Sequence, residues 1–172
     1  NGLCFEGQTL GAVGEITGEI VFTTGMTGYL ETLTDQSYYG QIVLQTFPLI
    51  GNYGIIPSDF ESNCIGASAY IVKYPCENPS NFRSQGTLEA FLKENNIIGL
   101  SHIDTRAVTK IIREYGVMNG KITYQKPDNI DLTEIKNYKI KNAVERVSVK
   151  EVKEYKSDSP KYRVALLDFG LK

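Results

Sequence analysis

Apolar positions follow two different rhythms along the chain, and the change falls near residue 80. Up to residue 75 they come in short β-branched bursts separated by Gly and Thr, with no helical stripe. Residues 19–24, 41–46 and 67–72 read as strands on β propensity. Residues 29–33 fit either a helical turn or a short strand, and Asp35-Gln36-Ser37-Tyr38 is turn chemistry. This half predicts a β-rich sandwich or barrel of short strands. From residue 80 the period lengthens. Thr87 caps a predicted helix over 88–95, with Leu88, Phe91 and Leu92 on one face. Residues 97–100 are a short apolar strand. Asp104 or Thr105 caps a second helix whose stripe is Val108, Ile111, Ile112 and Tyr115, and Gly116 closes it. Residues 120–124 return to strand, and Asp131 caps a third helix over 132–141 with Leu132, Ile135 and Tyr138 inward.

The end of the chain has a third character. Residues 153–161 are polar and close on Ser159-Pro160, the composition of a linker. Val164 to Leu167 is a continuous apolar run followed by Asp168-Phe169-Gly170, as at the strand-to-helix turn of an α/β sheet. This predicts the first strand of a second domain; the alternative is a C-terminal strand that completes the sheet of the first. The first residue is Asn1 rather than Met, so an earlier start is expected.

Composition narrows the function classes. The 172 residues are 41% hydrophobic and 22% charged, ordinary for a globular domain rather than a disordered one. No apolar run approaches the ~18–20 residues that span a bilayer. A net charge of −2 argues against a nucleic-acid binder held by phosphate contacts. Cys4, Cys64 and Cys76 cannot all pair and show no metal-type spacing, which points to a reducing, cytoplasmic setting.

Candidate chemistry is sparse. His102 is the only histidine, and nothing beside it marks a nucleophile; a role at the start of the second helix is preferred over a hydrolase built on it. One His and scattered Cys give no metal-ligand cluster. The Gly25-Met26-Thr27-Gly28 loop suits a phosphate-cradling turn but lacks the Lys and the spacing of known phosphate loops, so a tight turn is preferred. Arg83 can pair with a carboxylate or a phosphate. The chain therefore shows no self-contained active site, only a polar-aromatic surface between residues 24 and 54 suited to recognition.

Taken in order, the motifs resemble one family. They are residues 18–29 (Gly18 to Tyr29), Leu33-Thr34-Asp35-Gln36-Ser37-Tyr38, Gly40-Gln41-Ile42-Val43 and Pro48-Leu49-Ile50-Gly51-Asn52-Tyr53-Gly54. The series continues in Pro79-Ser80-Asn81-Phe82-Arg83-Ser84, Ile103-Asp104-Thr105-Arg106-Ala107-Val108-Thr109, Arg113 to Gly120, and the closing residues 164–172. Their order over essentially the whole chain is similar to the small, glutamine-dependent subunit of carbamoyl-phosphate synthetase. The resemblance implies an α/β fold, a three-layer swivelling β/β/α domain over residues 1–152. A linker at 153–163 and the first strand of a class I glutamine amidotransferase domain at 164–172 would follow. It implies that this region has no catalytic residue or metal of its own. Its task would be to dock the glutaminase onto the large synthetase subunit, where ATP, Mg²⁺ and K⁺ act, for pyrimidine and arginine synthesis. Ser37 and Lys172 match positions at the glutamine site. Two departures are expected to matter. Asn1-Gly2-Leu3 replaces an acidic turn and a preceding strand, leaving a sheet edge open; Gln36 stands where Pro is common, loosening its turn. A stand-alone small-ligand module using the Gly25–Gly28 loop is the alternative.

Overall fold

The computed structural model describes residues 2–172; Asn1, part of the first departure noted above, lies outside the described residues. In chain order the elements are β1 (Gln8–Gly11), β2 (Ile16–Thr23), α1 (Tyr29–Thr34), β3 (Gln41–Gln45), β4 (Leu49–Ile50), β5 (Ala69–Ile71) and β6 (Tyr74–Pro75). There follow α2 (Leu88–Glu94), β7 (Ile98–Ser101), α3 (Thr105–Tyr115), β8 (Met118–Ile122), α4 (Leu132–Asn137) and α5 (Ala143–Val147).

The architecture is mixed α/β rather than the sandwich or barrel that the first half suggests. One six-stranded sheet runs β1-β7-β5-β3-β2-β8, beside a two-stranded ladder of β4 and β6. Its centre is parallel, with β3 paired to both β2 and β5, and β5 to β7; only the edge strands β1 and β8 are antiparallel to their neighbours. β propensity marks strands but carries no direction. The direction comes from the segments between them. Long crossovers containing α1 and α2 return the chain to the same end of the sheet, which makes neighbouring strands parallel. β1 is an edge strand, and its length of four residues keeps that edge short.

Period-two alternation in the central strands builds two cores. Val43 and Tyr70 face Leu30 and Leu33 of α1 and Leu88 and Leu92 of α2. Ile42, Leu44, Ala69 and Ile71 face the opposite side, against Ile103 and the α3 residues Val108 and Ile112. Strands buried on both faces read as continuous apolar runs, which is the pattern at 42–44 and 69–72.

The helices follow their caps. Residues 29–33 resolve as helix, because Tyr29, Leu30 and Leu33 share one buried face. The Thr87 hydroxyl accepts the Ala90 amide at 3.2 Å. Asp104, not Thr105, caps α3, accepting the Ala107 amide at 3.0 Å. Two readings are corrected. Tyr115 is 68% exposed, since the stripe leaves the sheet at the last turn. The third helix stops at Asn137 rather than 141 and buries no residue, so its stripe has too little sheet beneath it to extend.

The last twenty residues carry no helix or strand and are largely exposed. The strand expected at 164–167 is not formed, nor does it complete the sheet: Val164 is 88% exposed and Leu167 78%. An apolar run becomes a buried strand only with neighbours on both sides, and none pairs with it among the described residues. No helix among the described residues is long and apolar enough to cross a membrane.

The two layers define a test. Leu92→Ala should lower the unfolding free energy by about 2–5 kcal/mol. Tyr115→Ala should stay within about 0.5 kcal/mol. Urea denaturation reads both; equal losses would contradict the placement of Tyr115 outside the core.

Candidate functional site

The turn between α1 and β3 is built around one carboxylate. Asp35 ends α1 and caps the single helical turn of residues 36–38. Its Oδ1 accepts the Ser37 amide at 2.8 Å, and its carbonyl accepts the Tyr38 amide at 3.1 Å. Its other oxygen, Oδ2, accepts the Lys172 ammonium at 2.7 Å, across 137 residues of sequence. The two site residues named from the resemblance, Ser37 and Lys172, thus meet on a third, Asp35. The sequence reading took Asp35 only as turn chemistry; a carboxylate that stays 8% exposed inside a turn was the missing signal.

The walls of the turn come from residues 61–66. The Thr34 hydroxyl accepts the Glu61 amide at 2.9 Å, and the Ser62 hydroxyl donates to the Thr34 carbonyl at 2.7 Å. Gly66 lies flat on Asp35; a Cβ there would overlap the Asp35 carbonyl oxygen, so only glycine fits. Gln36 does not loosen the turn as expected. Its amide donates to Ser62 Oγ at 3.0 Å and to the Cys64 carbonyl at 2.9 Å, which replaces the rigidity of a proline with side-chain ties.

Lys172 is delivered by a turn of its own. Asp168 Oδ1 accepts the Gly170 amide at 2.8 Å and the Leu171 amide at 2.7 Å, and the Asp168 carbonyl accepts the Val149 amide at 3.2 Å. This anchors the tail beside α5 and aims Lys172 back at Asp35. Burial pushes the Asp35 carboxyl up, but hydrogen bonds from Lys172 and Ser37 outweigh it and hold it below its ordinary value. The same hydrogen bond, with the Asp35 charge, raises Lys172. Ser37 is exposed beside the pair. An ammonium has three donors, so Lys172 keeps two after meeting Asp35.

The other candidates are settled by their neighbours. His102 sits in the left-handed region (φ 60°) just before α3, with Nδ1 3.0 Å from Ser101 Oγ and its ring edge-on to Tyr74 at 5.7 Å. Ser101 is buried and its hydroxyl donates to the Gln8 carbonyl at 3.3 Å, while the exposed His102 donates its backbone amide to the Lys73 carbonyl at 2.8 Å, a structural role just before α3. Arg83 pairs with Asp59, at 3.1 Å from Nη1 to Oδ1. In the Gly25–Gly28 loop the Gly28 and Tyr29 amides both donate to the Tyr53 hydroxyl oxygen, at 3.0 and 3.2 Å. Those two amides are therefore not open to a phosphate. Tyr29 stacks on Tyr53 at 4.2 Å and is buried, so the polar-aromatic stretch 24–54 is partly interior. Among the described residues no group of three or more His, Cys, Asp or Glu is placed to hold a metal ion.

Comparison with known proteins shows what the chain is similar to. The family model for "Carbamoyl-phosphate synthase small chain, CPSase domain" matches residues 1–122. The carbamoyl phosphate synthase small chain of Clostridium perfringens is 47% identical over the whole of this chain and 49% of its own length. That of Syntrophotalea carbinolica is 44% identical over the whole chain and 50% of its own length. That of Bacillus anthracis is 46% identical over the whole chain and 47% of its own length. The chain thus spans about half the length of the curated relatives it matches.

The Asp35–Lys172 pair predicts a pH window. Asp35 is depressed, so its contribution is full above the unfolded carboxylate value of about 3.9 and is lost as pH falls through the folded value. Lys172 is raised, so its contribution is full below about 10.4 and is lost as pH rises through the folded value. Protection of the Leu171 amide from hydrogen exchange, taken against its intrinsic rate at each pH, should be greatest between these limits. Asp35→Asn should lower that protection throughout the window; unchanged protection would mean the pair does not hold the tail.

Proposed function

The chain belongs to the carbamoyl-phosphate synthase small chain family, and on that premise we propose that it is the first half of the small subunit of the glutamine-hydrolysing enzyme. In this reading it docks a class I glutaminase onto the large synthetase subunit and completes the glutamine site. The parent enzyme makes carbamoyl phosphate from glutamine, bicarbonate and ATP, for pyrimidine and arginine synthesis in the cytoplasm. ATP, Mg²⁺ and K⁺ belong to the large subunit, and this half supplies no catalytic residue. Residues 1–152 form the family's three-layer swivelling β/β/α domain, 153–163 the linker, and 164–172 the entry to the glutaminase domain.

The observation that carries the site assignment is the Lys172–Asp35 contact at 2.7 Å, which brings the end of the chain to the Ser37 turn. The chemistry follows from what each group has left to offer. Asp35 has both oxygens engaged, so it positions rather than binds. Lys172, half exposed, has two donors left for the α-carboxylate of glutamine. The Ser37 hydroxyl adds a donor or acceptor for the amino-acid end of the substrate, while its own amide is tied to Asp35 and fixes where that hydroxyl points. The carbonyl attack itself is left to the glutaminase domain.

Reconstitution tests this. The chain is joined to the glutaminase half of a relative, combined with the large chain, and assayed for carbamoyl phosphate. Ser37→Ala removes one hydrogen bond of about 1–1.5 kcal/mol, so the KM for glutamine should rise about five- to tenfold while ammonia-dependent synthesis is unchanged. An unaltered KM would take Ser37 out of the site, and a folded complex without glutamine-dependent activity would end the proposal.

A further inference from the structure

At the other end of α1 lies a second polar cavity that the glutamine site does not use. A cleft of about 280 Å³ is lined by Gly28, Glu31, Tyr53, Asp59, Asn81 and Arg83, among others. Its charges do not balance. Arg83 meets Asp59 through both guanidinium nitrogens, at 3.1 and 3.5 Å, which leaves the Glu31 carboxylate in excess. Glu31 Oε2 is shielded from solvent and accepts no hydrogen bond. A buried carboxylate oxygen without a partner costs stability, so its retention calls for an explanation outside the free chain. Glu31 lies in the first turn of α1, where a negative charge complements the helix N-terminus, but that does not account for an oxygen shut off from solvent without a donor.

Phe82, between the cleft residues Asn81 and Arg83 in sequence, is 96% exposed, and Met26, one residue before the cleft residue Thr27, is 68% exposed. Exposed large apolar side chains next to a partly shielded carboxylate suit a protein-docking surface. The aromatic ring of Tyr53 in the wall favours a cation. An anion is disfavoured, because the Gly28 and Tyr29 amides are taken by Tyr53 and the spare charge is negative.

We propose that this cleft is a socket for a basic side chain, arginine or lysine, presented by the protein partner of this chain, with Phe82 and Met26 packing around its stem. Resting on the docking reading above, the partner is the large synthetase chain. The terminal torsion of a glutamate is soft, so Glu31 can turn its unpartnered oxygen onto an incoming guanidinium or ammonium. The Asp59–Arg83 pair sets the far wall and keeps a second cation from being accommodated. The match is one of charge as well as shape: a single spare negative charge selects a single positive one.

Binding of this chain to the large chain, measured by biolayer interferometry, is the test. Glu31→Gln should weaken it tenfold or more and Phe82→Ala at least fivefold, with Tyr115→Ala unchanged. Glu31→Gln should leave the free chain's cooperative thermal transition in place, which separates lost binding from lost folding. Unaltered affinity in both Glu31→Gln and Phe82→Ala would overturn the socket while leaving docking intact. If the unmodified chain does not bind the large chain at all, the docking reading fails and the socket is judged by a probe. N-acetyl-arginine methylamide is then titrated against its neutral analogue N-acetyl-citrulline methylamide, with the Gly28 amide followed by NMR. A shift with arginine alone, lost in Glu31→Gln, keeps the socket; equal or absent shifts dismiss it.

Discussion

Strand β3 is buried on both faces, and the rest of the molecule supplies what such a strand needs. Ile42, Val43 and Leu44 are fully covered, so β3 needs a partner on each edge and a layer on each side. β2 and β5 provide the edges, α1 and α2 one layer, and α3 the other. The chain can enter this strand only after crossing the sheet, and α1 and the turn at Asp35 are that crossing. The Asp35 turn is rigid because the strand it feeds cannot move without opening both cores.

That rigidity explains how a small polar cluster holds its geometry at the surface. Asp35 is kept charged by two donors against the cost of its burial. The flat approach of Gly66 and the ties from Gln36 to residues 62–64 close the turn from the side opposite β3. Lys172 comes from a segment with little other structure, so the salt link organises the tail more than it stabilises the core. A half-exposed ammonium contributes modestly to folding. What it provides is position: the last residue of the chain is brought to a turn formed 137 residues earlier.

The legible parts of the fold were those written in local chemistry. Thr87, Asp104 and Asp131 announce their helices because their side chains satisfy amides two or three residues on. The strands at 41–46 and 67–72 announce themselves because burial on two faces leaves apolar runs at 42–44 and 69–72, and the one at 97–100 is short and apolar. Strand direction was not legible, since it is decided by the crossovers. The exposure of Tyr115 and the early end of α4 were not legible either, because a helical stripe says which residues share a face and not how far the sheet beneath extends. At the site, Ser37 and Lys172 entered through resemblance to a family. Asp35, the residue that joins them, was missed, because a buried carboxylate in a turn has the same sequence signature as a solvated one. Arg83 was read as ready to pair with a carboxylate, and it does so with Asp59, yet the uncompensated Glu31 nearby has no sequence signature at all.

Helix α1 is what relates the two polar sites. Six residues span about 9 Å, so Glu31 near its start and Asp35 at its end are fixed relative to each other by one short rigid body. Its inward face is apolar and shared with the main core, and its outward and terminal positions carry the polar groups. Substitutions at Leu30 or Leu33 would disturb both sites by unseating the helix, and would report only on folding. Substitutions at Glu31 or Asp35 act on groups that lie outside the apolar core, but the two are only four positions apart, closer than the separation at which effects simply add. A double-mutant cycle over Glu31 and Asp35 is therefore what separates the two sites on this one scaffold.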